Sequence, residues 1–345
     1  MASEATTSNI ARWCWNSNND PQSTTTGESD WKSYSDVQSL MIENAYQKKQ
    51  NQVIIGDYII DLKNFQQIYC NDKHKQRPIK RTIIDDYQAI VTLREERFFF
   101  PATPVKPFNE NNYDGSDFID QWRFSFNKPD AASIFEAAAT GIVEEGKILD
   151  QVVDAEGMAA ELRRTRYAPG ERLDDFMWRC NPSFLKVYTL ESFLYKSMNR
   201  ALREQDMTKV KTLGPFCFIL NFYIQHGSHQ YNSRYFRGVV YRGSNQTLDE
   251  IELYKTEVGS YRKWLGFTST SRNREKAEQF GNTLFIIDMQ NNYYIKYRTG
   301  MDISKYSHYL FEEEVLLPAG IPFKIENVEY CNEKQKYFIY LNISK

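Results

Sequence analysis

Three short motifs in the C-terminal third carry side chains with chemistry to offer. Val240-Tyr241-Arg242-Gly243 ends a predicted strand on an arginine, and the glycine after it lets a ligand approach the backbone closely. Gly266-Phe267-Thr268-Ser269-Thr270-Ser271 is a row of hydroxyls. In a strand, alternation sends Thr268 and Thr270 to one face and Ser269 and Ser271 to the other. Phe311-Glu312-Glu313-Glu314-Val315-Leu316-Leu317-Pro318 feeds three carboxylates into an apolar strand. On a strand, Glu312 and Glu314 share one face, their Cα atoms roughly 7 Å apart, and Glu313 points away. Neighbouring carboxylates repel one another. Taken singly, each motif has a plain structural explanation: a surface arginine, a strand running into a hydroxyl-rich turn, a solvated acidic strand start. The last accounts for Glu313 and leaves Glu312 and Glu314 without a reason. Together the three supply a guanidinium fork suited to anions, hydroxyls, and carboxylates able to stabilise a cation or take a proton.

Other chemistries have no footing. No G-x-G-x-x-G opens a strand–helix unit and no G-x-x-x-x-G-K-[ST] occurs, so any dinucleotide is bound without a Rossmann fold. The four histidines, His74, His226, His229 and His308, form no H-E-x-x-H. His226 and His229 are three apart, but Gly227 lies between them and no carboxylate is near, which reads as surface histidine rather than a metal pair. No G-x-S-x-G elbow is present, and no metal is expected.

The elements that must position these motifs follow from the pattern along 345 residues. Residues 1–85 hold Trp13, Trp15 and Trp31 and a β-rich stretch from Val53 to Leu62, closing on the basic run Arg77-Pro-Ile-Lys-Arg81. Residues 86–112, with Pro101, Pro104 and Pro107, read as a stiff connector. Residues 113–228 read as helical. Ala131 to Arg166 is rich in Ala and Glu, Thr189 is an N-cap candidate, and Pro215 starts or kinks a helix. From Phe236 onward the chain reads as strands: Phe236–Tyr241, Leu265–Thr270, Thr283–Asp288, Glu312–Leu317, Phe323–Tyr330 and Lys336–Ile343, with a short helix at Glu275–Phe280. Helices followed by strands predict an α+β fold rather than a doubly wound sheet. Net charge is −2, which argues against a protein that coats nucleic acid. Five scattered cysteines without a C-x-x-C pair read as buried free thiols in a reducing compartment. The polar N-terminus and the lack of a long apolar run predict an intracellular protein, cytoplasmic or nuclear, without a membrane segment.

Arg242, then Ser269-Thr270-Ser271, then Glu312-x-Glu314 before an apolar strand is an ordered set, and it resembles the arginine–serine–glutamate class of mono-ADP-ribosyltransferases. Tyr188-Thr-Leu-Glu-Ser-Phe-Leu-Tyr195 and Asn199-Arg-Ala-Leu-Arg203 are similar to the helical lobe of eukaryotic members, so the resemblance covers roughly residues 130–345. It implies a catalytic domain over 113–345 with a helical lobe and a split two-sheet fold, and NAD as co-substrate in the cleft. By correspondence Glu314 stabilises the oxocarbenium-like cation, Ser269 fixes Glu314, and Arg242 pairs with the NAD phosphates or holds the ribose. Gly243 offers its backbone to the nicotinamide amide, while Thr270, Ser271 and Phe280 line the NAD site. Phe280 is equally readable as core. Glu312 would serve the acceptor, and the Ser304–Phe311 loop with Tyr306 and Tyr309 would face the protein target. The implied acceptor is an arginine side chain. An NAD glycohydrolase and a catalytically silent scaffold stay open as alternatives.

Residues 1–85 resemble a WWE domain, a module that binds ADP-ribose units, notably within poly(ADP-ribose). The matching residues are Trp13-x-Trp15, Trp31-x-x-Tyr34, Ile42-Glu43-x-Ala45-Tyr46, Tyr58-Ile-Ile-Asp-Leu62, Gln67 and Arg77-Pro-Ile-Lys-Arg81. The resemblance makes Trp15, Tyr58, Gln67 and Arg77 the ligand contacts. A WWE-shaped module that touches only protein is the competing reading. The partners implied are ADP-ribose or poly(ADP-ribose) and a protein acceptor, with no direct nucleic acid and no membrane.

Overall fold

The computed structural model describes residues 10–18, 30–84, 107–110, 114–125, 130–179, 182–226, 236–289 and 300–343. Most of the 86–112 connector, and His229, lie outside the described residues. The first unit is a six-stranded antiparallel sheet with one helix. Its elements are β1 (Ile10–Asn16), β2 (Trp31–Ser33), α1 (Asp36–Gln47), β3 (Gln52–Ile55), β4 (Tyr58–Asp61), β5 (Gln66–Tyr69) and β6 (Asp72–Ile84). The strand order is β2-β1-β6-β5-β4-β3. Ser35 caps α1, its hydroxyl accepting from Gln38 N at 3.1 Å, and Asp36 stands in the first turn, where the helix dipole favours an acid. Trp13, Ile42, Ile60 and Ile79 form the core of this unit.

A lobe of helices follows: α2 (Asp117–Ser125), α3 (Ala131–Ile148), α4 (Val152–Arg163), α5 (Leu173–Arg179), α6 (Ser183–Thr189), α7 (Phe193–Glu204) and α8 (Val210–His226). Two expectations need correction. Thr189 does not cap a helix start. It ends α6, and Ser192 caps α7, accepting from Leu194 N at 3.3 Å. Pro215 does not start a helix, because α8 begins at Val210 and runs through it.

The remaining elements are β7 (Val239–Ser244), α9 (Leu248–Thr256), β8 (Tyr261–Trp264), β9 (Thr268–Ser271), α10 (Arg274–Glu278), β10 (Thr283–Asp288), β11 (Met301–Asp302), β12 (Glu314–Leu317), β13 (Ile321–Cys331) and β14 (Lys336–Asn342). Their order is β11-β12-β9-β7-β10-β14-β13-β8. Continuity between β9 and β7 rests on the single pair Tyr241↔Ser271. The run therefore divides there into a three-stranded and a five-stranded part, and the architecture is α+β. The short strands β8 and β11 were not expected from the pattern. The cysteines only partly follow expectation: Cys14 and Cys217 are buried, Cys70 is exposed and Cys331 half-buried. Among the described residues no helix is long and apolar enough to cross a membrane.

The first unit is packed onto the helical lobe. Val37 and Leu40 of α1 belong to the lobe's own core, and Val153 packs against the core of the first unit. Gly157 of α4 lets α1 lie this close: a Cβ there would stand 2.5 Å from Met41 Sδ and 2.8 Å from Val37 Cγ1. Polar ties flank the seam, where Ser35 Oγ and Gln38 Nε2 each donate to Asp154 Oδ1 at 3.0 Å. Burial pushes the Asp154 carboxyl above its ordinary value against those two hydrogen bonds, and the nearby Asp36 charge adds to the rise.

Candidate active site

The division between β9 and β7 is where the three motifs meet. On β9 and β12 the register pairs Glu314 with Ser271, Val315 with Thr270 and Leu316 with Ser269. Cross-strand partners share a face, so Ser269, Ser271 and Glu314 lie on one side of the three-stranded part, and Thr268 and Thr270 on the other. The expected alternation of the hydroxyl row therefore matches the register. Ser271, not Ser269, stands directly across from Glu314. The Ser271 hydroxyl donates to the Glu312 carbonyl at 2.8 Å, and the Thr270 hydroxyl to the Val315 carbonyl at 2.6 Å. Ser269 and Glu314 are almost fully buried.

Arg242 reaches this strand from the neighbouring one. Its Nη1 donates to the Ser269 carbonyl at 2.8 Å. Alternation along β7 sets Tyr241, the partner of Ser271, on the serine side and turns Arg242 toward Phe285, its partner in β10. Gly243 has a reason internal to the fold. A Cβ there would fall 2.0 Å from the Ala277 carbonyl oxygen and 2.8 Å from Phe280 Cβ. The space above Gly243 is thus filled by the end of α10, with half-buried Phe280 against it.

The geometry of Glu312 differs from the strand expectation. Leu310–Glu312 is a 3-10 turn, and Glu313 adopts a left-handed conformation with φ 50°. The strand begins only at Glu314, so strand alternation does not relate Glu312 to Glu314. Glu312 is instead held by its backbone, its N–H donating to Tyr309 O at 3.3 Å and its carbonyl accepting from Ser271. Glu313 is not simply solvated. Arg272 lies 3.7 Å, Lys276 3.5 Å and Asn273 Nδ2 3.4 Å from its carboxylate. The preceding loop is anchored in both directions. Ile303 N donates to Glu314 O at 2.9 Å, and His308 N donates to the Thr189 hydroxyl at 2.7 Å.

Asn199 and Asp36 are two contributors that the motifs did not identify by role. Asn199 Oδ1 accepts from Phe267 N at 2.9 Å, so α7 sets the start of β9. Its signal was the Asn199–Arg203 run, which marked the element and not the contact. Asp36, at the start of α1, accepts from the Tyr309 hydroxyl and from Glu191 N, the latter at 2.8 Å. Nothing local in the sequence marks it.

In the first unit, register places Trp15 opposite Ile79, Arg77 opposite Gln67, and Gln67 opposite Ile60. Tyr58, Gln67, Arg77 and Trp15 thereby fall on one face of the sheet. The Arg77 guanidinium lies 5.1 Å from the Trp15 ring centroid, a cation–π distance. Gln67 is buried and its Oε1 accepts from the Tyr34 hydroxyl at 2.5 Å. Tyr34 thus joins the four expected residues, and burial raises its hydroxyl pKa, with Cys14 and Tyr58 adding to the rise.

The family model for NAD:arginine ADP-ribosyltransferases matches residues 144–345, more than half of the chain. The chain belongs to that family. The WWE domain model matches residues 11–81 of this transferase-family chain. Among curated proteins, GPI-linked NAD(P)(+)--arginine ADP-ribosyltransferase 1 of Mus musculus is 31% identical over 146 residues, which is 41% of this chain and 42% of the mouse protein. The chain therefore spans less than half the length of that relative. Among solved structures, the type III effector XopAI of Xanthomonas axonopodis pv. citri is 15% identical, with 66% of this chain and 96% of that one covered at a TM-score of 0.42. Plx2a, an ADP-ribosyltransferase toxin of Paenibacillus larvae, is 15% identical, with coverages of 48% and 87% and a TM-score of 0.37.

Proposed function

We propose that this family member cleaves NAD and transfers the ADP-ribose to an arginine side chain of a protein, releasing nicotinamide. The observation that carries the reading is the convergence at the β7/β9 division. Ser269, Ser271 and the buried Glu314 share one face there, Arg242 reaches the Ser269 carbonyl from the neighbouring strand, and Glu312 is one tight turn away. That donor set suits NAD: a carboxylate out of water for the cationic ribose, hydroxyls for the ribose, and a guanidinium for the phosphates.

Breaking the nicotinamide–ribose bond develops positive charge at the anomeric carbon, and a fixed carboxylate stabilises it most where water is excluded. Glu314 takes that role. Ser269 fixes it from the adjacent strand, while Ser271, its register partner there, ties down the Glu312 carbonyl. Arg242 braces β9 through the Ser269 carbonyl and directs further donors of its fork to the phosphates. Phe280 and the Gly243 backbone border the nicotinamide end, with Thr270 fixing β12 from behind. Glu312 orients the acceptor guanidinium and takes its proton, a step a permanently charged group requires before it attacks. In the WWE domain, Trp15, Tyr34, Tyr58, Gln67 and Arg77 receive an ADP-ribose unit, with aromatic surface for adenine and Arg77 for phosphate.

Incubation with labelled NAD and a protein mixture tests the reading. Label on protein, mapped to arginine by mass spectrometry, is the expected result. Free ADP-ribose alone identifies a glycohydrolase, untouched NAD identifies a scaffold, and label on Asp, Glu, Ser or Cys refutes the arginine acceptor.

A further inference from the structure

The three residues that open α1 face three different surroundings. The Tyr34 hydroxyl donates to Gln67 inside the WWE domain. Ser35 caps α1 and donates to Asp154 of α4. Asp36 Oδ2 accepts from two groups of the catalytic domain, the Glu191 backbone N–H and the Tyr309 hydroxyl. Tyr309 is 3% exposed, so its hydroxyl bonds away from bulk water, where a charged acceptor counts most. Its carbonyl closes the 3-10 turn by accepting from Glu312 N, and the Glu312 carbonyl is held in turn by Ser271. One side chain and one turn separate Asp36 from the backbone that carries Glu312. Glu314, in contrast, is set by the β9–β12 ladder.

We propose that Asp36, a WWE-domain residue, is a positioning residue of the transferase. It holds Tyr309, and through Tyr309 the turn that aims Glu312 at the acceptor. The proposal rests on Glu312 being the acceptor-side carboxylate. The WWE domain then completes the acceptor end of the catalytic site, in addition to binding its own ligand. Losing the Asp36 charge leaves a buried tyrosine hydroxyl with a weaker partner and frees the turn, while the carboxylate that stabilises the cation stays in place.

The test uses the full chain with Asp36→Asn, Tyr309→Phe and the double variant. Two rates are read with labelled NAD: transfer to polyarginine, and release of free ADP-ribose without acceptor. Each single variant is expected to lose transfer on the order of tenfold, the scale of one hydrogen bond to a charged group. ADP-ribose release should stay within about twofold, and the double variant should be no worse than the weaker single, because the two side chains act as one unit. A purely structural role would lower both rates together and leave their ratio unmoved. Unchanged transfer, a parallel fall of both rates, or additive losses would overturn the proposal. If Asp36→Asn does not fold, Tyr309→Phe, which leaves α1 untouched, decides alone. Glu312→Gln run alongside separates the two failures. If it keeps transfer, the acceptor reading falls and the Asp36 route with it. If it loses transfer and Asp36→Asn does not, only the Asp36 proposal falls.

Discussion

A carboxylate held out of water costs free energy unless its charge is used or compensated. Glu314 sits almost fully buried at the first position of β12. We expect Glu314→Gln, which keeps the shape and removes the charge, to lower both transfer and hydrolysis on the order of a hundredfold to a thousandfold, by analogy with a lost oxyanion-hole donor. Single-turnover release of nicotinamide measures it, and near-normal release would end the assignment. Glu312→Gln is expected to behave differently. Transfer to arginine should collapse while hydrolysis falls far less, as product analysis with and without acceptor will show. The order of the two glutamates after Arg242 and Ser269 was legible in the sequence and marks both as candidates. Their relative geometry was not. A left-handed Glu313 breaks the alternation between them, and such a conformation is chosen by surrounding contacts more than by the residue itself.

At the scale of elements, α1 and β6 are joined by a charged cluster. Arg81 Nη2 lies 2.7 Å from Glu43 Oε1, and Trp13 Nε1 donates to Glu43 Oε2 at 2.9 Å. Burial alone would raise the Glu43 carboxyl, but hydrogen bonds from Arg81, Gln47 and Trp13 and the Arg81 charge outweigh it and bring the pKa down to about 2. A depressed folded pKa stabilises the folded state above the unfolded value and loses that contribution as pH falls. The WWE domain should therefore weaken progressively as pH drops below about 4.5 toward about 2. Denaturation followed by tryptophan fluorescence will show this, and Glu43→Gln should flatten the dependence. Strands with strong patterning, such as β10, were legible residue for residue. The ends of β7, β9 and β12 were not, because turns and cross-strand pairing set them. The α7 cap was misplaced from Ser192 to Thr189 for a related reason. Both residue types cap well, and only the observed partners decide: Thr189 donates to Lys186 O and accepts from His308 N instead.

For the whole molecule, composition and motif order say nothing of the contact between the N-terminal unit and the helical lobe. Val37, Leu40 and Met41 look like the inner face of a small module's helix, and nothing in their spacing says that α4 shares them. Burying a Val or Leu contributes about 1.5–3 kcal/mol each, so the seam is a substantial part of the lobe's stability. Removing residues 1–85 should therefore leave a remainder that melts lower and aggregates. Light scattering during a thermal ramp, compared with the full chain, measures this.

The apolar seam also has a thermodynamic consequence. Two domains that share a core unfold as one cooperative system, and whatever binds one folded half is linked to the stability of both. Calorimetry should then show a single endotherm for the full chain. An ADP-ribose fragment held at Gln67 and Arg77 should displace that endotherm upward, carrying with it the melting of helices that never touch the ligand.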